Sequence, residues 1–369
     1  MQVCAFLMLI GLVRLPRREN KQLVLTNKNV MIMKKMFLSL VALMAAAVSF
    51  AQSTLVATLS HGDEITMYYG SGALGNALSA AVSGDVINLS GGTFNLSSWT
   101  CNKAVTLRGT GIDANFPTTI GALTIDIPET DTCCMSIEGI RVTNDLTIMG
   151  TFEKVLFLKS KFNGIYWQTT STNKKDFKIC NCIITRFYMR NNSTVNFFNS
   201  YIWEYKNPYN YTSTALFLNS IIGIPVSSNS SKHDCCRTSF INCILYGSNQ
   251  NYSGSLHSTC MAMNCISTTF NCNNSGLFSN LSTAAINCRY VASGLFKTFT
   301  GSSDSTEFEL TDEAKATYLG TDGKEVGMYG GDLPYSSTPS YPQITKMNVA
   351  NKTTADGKLS VEIEVSAAE

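Results

Sequence analysis

Charge is scarce in this 369-residue chain: 15% of its residues are Asp, Glu, Lys or Arg. Histidine is scarcer still, at His61, His233 and His257, and no two Cys-x-x-Cys pairs occur. The donor sets of structural or catalytic zinc are therefore missing, and neither metal nor other cofactor is expected. Carboxylates are thin where a site would be built. Between Lys154 and Ser303 the only ones are Asp176, Glu204 and Asp234. A glycosidase needs an acid facing a base or nucleophile, and a calcium-dependent lyase needs several oxygen ligands around its metal. Isolated carboxylates suit neither.

Long apolar runs are also lacking. The one near the start, Phe37 to Val48, is shorter than the roughly 20 residues of a membrane span. Preceded by Lys34 and Lys35 and followed by Ser49-Phe50-Ala51, it reads as a secretory signal peptide over 33–51, cleaved after Ala51. The chain is then secreted or held at the cell surface and does not span the membrane after cleavage. Residues 1–32 read as a misassigned upstream start. Setting 1–51 aside removes seven basic residues and one acidic residue. What remains carries 21 Lys/Arg against 25 Asp/Glu, a net charge of −4. No basic stripe is left for phosphates, which disfavours nucleic acid as a partner.

What the chain does have is a repeated phrase. Asn181-Cys182-Ile183-Ile184 returns as Asn199-Ser200-Tyr201-Ile202, Asn219-Ser220-Ile221-Ile222, Asn242-Cys243-Ile244-Leu245, Asn264-Cys265-Ile266-Ser267 and Asn287-Cys288-Arg289-Tyr290. Weaker copies start at Glu138 and Lys159, and the eight anchors are 18 to 23 residues apart. Such a period marks a solenoid, too short for helical-pair repeats and without the leucine ladder of leucine-rich repeats. An apolar residue precedes each anchor, a small one follows it, and a large apolar one often comes two later. That spacing places alternate side chains on one face of a strand. Three short strands and three turns per coil fit the step, giving an all-β, right-handed parallel β-helix. The recurrent Asn sits either at a left-handed bend or outward in mid-strand.

Gly72 to Ala81 reads as an amphipathic helix able to cap the first coil. It leads into Gly84-Asp85-Val86-Ile87, Gly92-Thr93-Phe94 and Val105-Thr106-Leu107-Arg108-Gly109. This opening resembles the pectate-lyase-like right-handed β-helix superfamily. The tail, Gly320 to Gly331 followed by Pro334, Pro339 and Pro342, resembles the end of secreted Bacteroidota β-helix proteins. The resemblance implies the fold; lyases, hydrolases, adhesins and non-catalytic surface proteins all share it. The expected organisation is a capped β-helix over 52–300, a C-terminal cap with a short helix at Thr311–Thr317 and Pro-rich linker over 301–342, and a small β-hairpin appendage over 343–369.

Cys182, Cys243, Cys265 and Cys288 share the small inward position with Ser and Gly, and read as packed free thiols rather than disulfides. For function, aromatic residues stand out. Tyr201, Trp203 and Tyr205 alternate, which places three rings on one outer face opposite Ser200 and Ile202; Trp167 and Tyr209 join them as carbohydrate-binding candidates. The expected role is non-catalytic binding of a polysaccharide, cell-surface glycan or partner surface. The alternative is a polysaccharide lyase or glycoside hydrolase acting on acidic polysaccharide, with Arg186, Arg190, Glu204 and Lys206 on successive coils as catalytic candidates.

Overall fold

A computed structural model describes residues 55–366, apart from 97–98, 151–153, 168–174, 191–192, 209–211, 226–234, 248–254, 269–275, 299–307, 350–351, 353–355 and 359. The predicted signal peptide lies outside the described residues, as does Tyr209. Among the described residues, no helix is long and apolar enough to cross a membrane.

The repeat folds into a parallel β-helix with two sheets of twelve strands. Each copy of the phrase straddles one corner. The residues before the Asn form a strand of the first sheet, such as Lys175–Cys180 or Ser193–Phe198, and those after it form a strand of the second, such as Ile183–Tyr188 or Tyr201–Lys206. Successive coils pair in parallel. The third strand is the bent continuation of the second. Thr118–Ile120 and Leu123–Ile127 are separate strands, yet they pair with two parts of the single strand Ile140–Gly150.

The corner explains the Asn. Asn181, Asn199, Asn219, Asn242, Asn264 and Asn287 all have φ between 46° and 55°, with Lys159 at 47° and Gly139 at 68° in the weaker copies. Asn tolerates this left-handed conformation better than other side chains, so the bend reading holds. The small residue that follows builds a polar ladder. Ser200 Oγ donates to Phe198 O (2.8 Å) and accepts from Cys182 N of the preceding coil (3.1 Å); Ser220 Oγ repeats this with Leu218 O and Ser200 N. The Cys thiols make the same backward bond: Cys182 to Cys180 O, Cys243 to Ile241 O, Cys265 to Met263 O and Cys288 to Ile286 O, at 3.1–3.4 Å. Ser and Cys alternate here because both are small and both donate. All of these cysteines are free.

Inside, side chains in register stack from coil to coil. Phe197, Phe217 and Phe240 are paired positions on successive strands, with ring centroids 4.2 and 5.4 Å apart. Helix Ala73–Ala80 closes the N-terminal end, burying Ala73, Leu74, Ala77 and Leu78 in the same core.

From Phe308 on, the segment expected as cap and linker lies lengthwise along the outer face of the second sheet. Its helix, Asp312–Thr317, is N-capped by Thr311, whose hydroxyl accepts from Ala314 N. Phe308, Leu310, Ala314, Val326 and Met328 form a second core with the outward residues Ile183, Tyr201, Ile221, Ile244 and Ile266. The strap then follows the Asn corner back towards the first coils. Asn242 holds Thr321 through both side-chain atoms (Nδ2 to Oγ1 3.2 Å; Thr321 N to Oδ1 2.9 Å). Asn199 Nδ2 donates to Met328 O (3.0 Å) and Gly330 O (2.7 Å). Ser340 N donates to Glu138 Oε1, and the Tyr341 hydroxyl to Gly109 O. Beyond it, Gln343–Val349 and Val361–Ser366 pair as an antiparallel hairpin.

Candidate functional site

The aromatic face expected from alternation does not exist as drawn. Tyr201 and Tyr205 are both fully buried, in different cores. The second-sheet strands bend after the second residue, so the ladder runs Phe162, Ile184, Ile202 and resumes at Gly164, Arg186, Glu204, passing over Asn163, Thr185 and Trp203. The bend reverses the phase of the alternation, and Tyr205 points inward with Ile202. It packs against Phe187, Phe197 and Phe217, with its hydroxyl 3.0 Å from Thr238 Oγ1. Tyr201 points outward but lies beneath Phe308, ring centroids 4.2 Å apart, and its hydroxyl bonds Tyr246 Oη. Trp167 is 2% exposed against Phe177. Trp203 is half-buried beside Tyr246. Three of these four rings offer no face to a sugar.

The polar candidates do come together, beyond the bend. One ladder runs Asp145, Gly164, Arg186, Glu204, and the next Thr147, Tyr166, Tyr188, Lys206. Gly164 matters because a Cβ there would lie 2.7 Å from Asp145 Oδ1 and 2.4 Å from the Tyr166 ring. With no side chain on that rung, the Arg186 guanidinium reaches across to within 4.0 Å of Asp145. It also lies 5.9 Å from the centre of the Tyr166 ring. Lys206 Nζ is 2.9 Å from Glu204 Oε1 and 4.8 Å from the centre of the Tyr188 ring. Tyr166 and Tyr188 meet edge to face at 5.4 Å. Asp145, Thr147, Tyr166, Trp167, Tyr188 and Arg190 line an open cleft of about 250 Å³.

The charged and phenolic groups of this face are tied to one another. Burial pushes the Tyr188 phenol well above the ordinary range, and the charge of Glu204, to which it is hydrogen-bonded, pushes it further. Burial likewise raises Tyr166. Both phenols are therefore held in the protonated form near neutrality. Glu204 is engaged by Lys206 and Tyr188 together. Asp145 and Glu204 are three rungs apart, about 14 Å along the sheet at the usual strand spacing, beyond the separations of roughly 5–9.5 Å at which paired carboxylates cleave a glycosidic bond. Arg190 is exposed at the cleft and has no ion pair among the described residues.

Asp145 and Thr147 escape a reading based on the repeat, because they belong to the weak first copy, where the strand is longest. Their signal is indirect: Gly164, a residue without a side chain in mid-strand, marks close approach by a neighbour. No group of three or more His, Cys, Asp or Glu is placed to hold a metal among the described residues. No known protein family, curated protein or solved structure matches this chain.

Proposed function

We propose that this chain is an exported parallel β-helix protein, of the pectate-lyase-like type seen in Bacteroidota, that binds a glycan at the Asp145–Lys206 face without cleaving it. The observation that carries this reading is the cleft itself, where two tyrosine rings meet at right angles within a frame of Asp145, Arg186, Arg190, Glu204 and Lys206. Aromatic faces supply apolar contact to sugar C–H groups, and the charged rim supplies hydrogen bonds that fix orientation. Export rests on the signal-like segment 33–51.

The test is a glycan-array and calorimetric comparison of the wild type with a Tyr166→Ala/Tyr188→Ala variant, alongside reducing-end release over the same polysaccharides. Binding by the wild type, its loss in the variant and no release support the proposal. Undiminished binding in the variant moves the site elsewhere. Release that disappears in Arg190→Ala or Lys206→Ala makes the lyase or hydrolase reading the correct one.

A further inference from the structure

The Asn corner ends in a second, separate recess. The strap occupies the corner at Asn199 and Asn242, where the carboxamides bond its backbone and the Thr321 hydroxyl. Over the last two rungs it stands away, leaving a pocket of about 240 Å³ lined by Asn264, Asn287, Arg289, Tyr318, Leu319 and Val326, among others. Asn264 and Asn287 have the same left-handed backbone as the occupied rungs, with φ of 50° and 52°. Both line the recess, so their carboxamides supply it with the donor and acceptor types that Asn242 uses to hold an N–H and a hydroxyl.

Arg289 adds charge. Its guanidinium lies 5.6 Å from the centre of the Tyr318 ring, which supports it through a cation–π contact while leaving its edge N–H groups available. The lysines of the strap and of the segment just before it are already satisfied: Lys297 and Lys315 by Glu309, and Lys324 by Asp332. Arg289 has no carboxylate partner among the described residues. A guanidinium presenting free edges takes a carboxylate through two parallel bonds, and carboxamides beside it suit hydroxyl groups, each both donor and acceptor. The volume lies below the roughly 300–1,000 Å³ of pockets that enclose drug-sized ligands, so the ligand is about the size of one sugar ring.

We infer that the recess formed by Asn264, Asn287 and Arg289 binds a small polyhydroxy carboxylate, its carboxylate on Arg289 and its hydroxyls on the two carboxamides. The experiment is calorimetric titration of the full chain with three probes: D-glucuronate, which carries both features; D-glucose, which has the hydroxyls alone; and acetate, which has the carboxylate alone. Glucuronate is expected to bind at least tenfold more tightly than either other probe. Arg289→Leu and Asn287→Gly, both at exposed positions and the second compatible with the left-handed backbone, are each expected to weaken glucuronate at least tenfold. Equal affinity for glucose or for acetate, absence of glucuronate binding, or a glucuronate isotherm unmoved by Arg289→Leu overturns the assignment. The wild-type comparison of probes decides the matter even where a variant folds poorly.

Discussion

Replacing Asn199 tests the link between the corner residue and the strap. Its side chain is 4% exposed and donates to two strap carbonyls, at 3.0 Å to Met328 and 2.7 Å to Gly330. Asn199→Gly keeps the left-handed backbone available and removes the carboxamide together with its β-carbon. Each buried group stripped of its partner costs about 1–3 kcal/mol. Carbonyls retain a second lone pair for other partners, so the expected loss is about 2–4 kcal/mol in all. Asn199→Ala removes the same bonds but keeps a β-carbon at φ near 46° without the polar side chain that lets Asn adopt it, which makes it about 1 kcal/mol worse than Gly. Urea unfolding followed by tryptophan fluorescence and by circular dichroism measures both variants, with stability read from the midpoint provided the slope is unchanged. The reasoning fails if Asn199→Gly costs less than about 0.5 kcal/mol, the size of an ordinary surface change. It also fails if Ala is no worse than Gly, because the left-handed corner would then contribute nothing.

Other outcomes follow from the same contacts. Gly331→Ala would place a β-carbon 2.0 Å from Asn219 Nδ2 at a residue with φ of 78°, so limited proteolysis should cut the strap far faster in this variant than in the wild type; equal rates count against tight apposition. His61 lies 2.7 Å from Asp85 Oδ1, and its pKa is raised chiefly by that hydrogen bond and by the Asp85 charge. A raised folded value means the contribution is fully present below about pH 6.5, the unfolded value, and is lost as pH rises through the folded one. The Tm advantage of wild type over His61→Gln should therefore be largest near pH 5.5 and fade as pH rises through the raised value; the opposite trend rejects the pairing. Burial raises the thiol of Cys182, and that of Cys180 to about 11, so maleimide should reach Cys134, which is exposed, long before Cys182. Mass-spectrometric mapping that finds Cys182 labelled at the same rate contradicts the buried ladder.

The repeat was legible because it is written twice over. Period and alternation both point to stacked strands, and the corner Asn followed by Ser or Cys carries a backbone requirement and a hydrogen-bond requirement at adjacent positions. The aromatic face was not legible because strict period-two counting crosses a bend. Nothing in Tyr201-Ile202-Trp203-Glu204-Tyr205 announces that Trp203 drops out of the ladder, and the clue lies in Gly164 on another coil. The strap was hidden for a different reason. Gly327-Met328-Tyr329-Gly330-Gly331 looks like a loop, yet its glycines let the backbone lie against the Asn corner, and its apolar residues match outward Ile and Tyr positions more than 60 residues away in sequence. Arg186, Glu204 and Lys206 were legible as neighbours because they fall on paired rungs; Asp145 was not.

Solenoids ordinarily behave as one-dimensional stacks, in which each coil feels only its neighbours and the ends can fray alone. The strap changes that arithmetic. The Tyr341 hydroxyl meets Gly109 across 232 residues of chain, and Ser340 meets Glu138 across 202. A segment that follows every coil in the chain is thus the fastener for the first coils, and the middle coils cannot peel away without releasing it. A stack that would melt rung by rung is bound into one cooperative unit. The cost is kinetic, since closing so long a loop delays the final step of folding until every coil beneath the strap is in place.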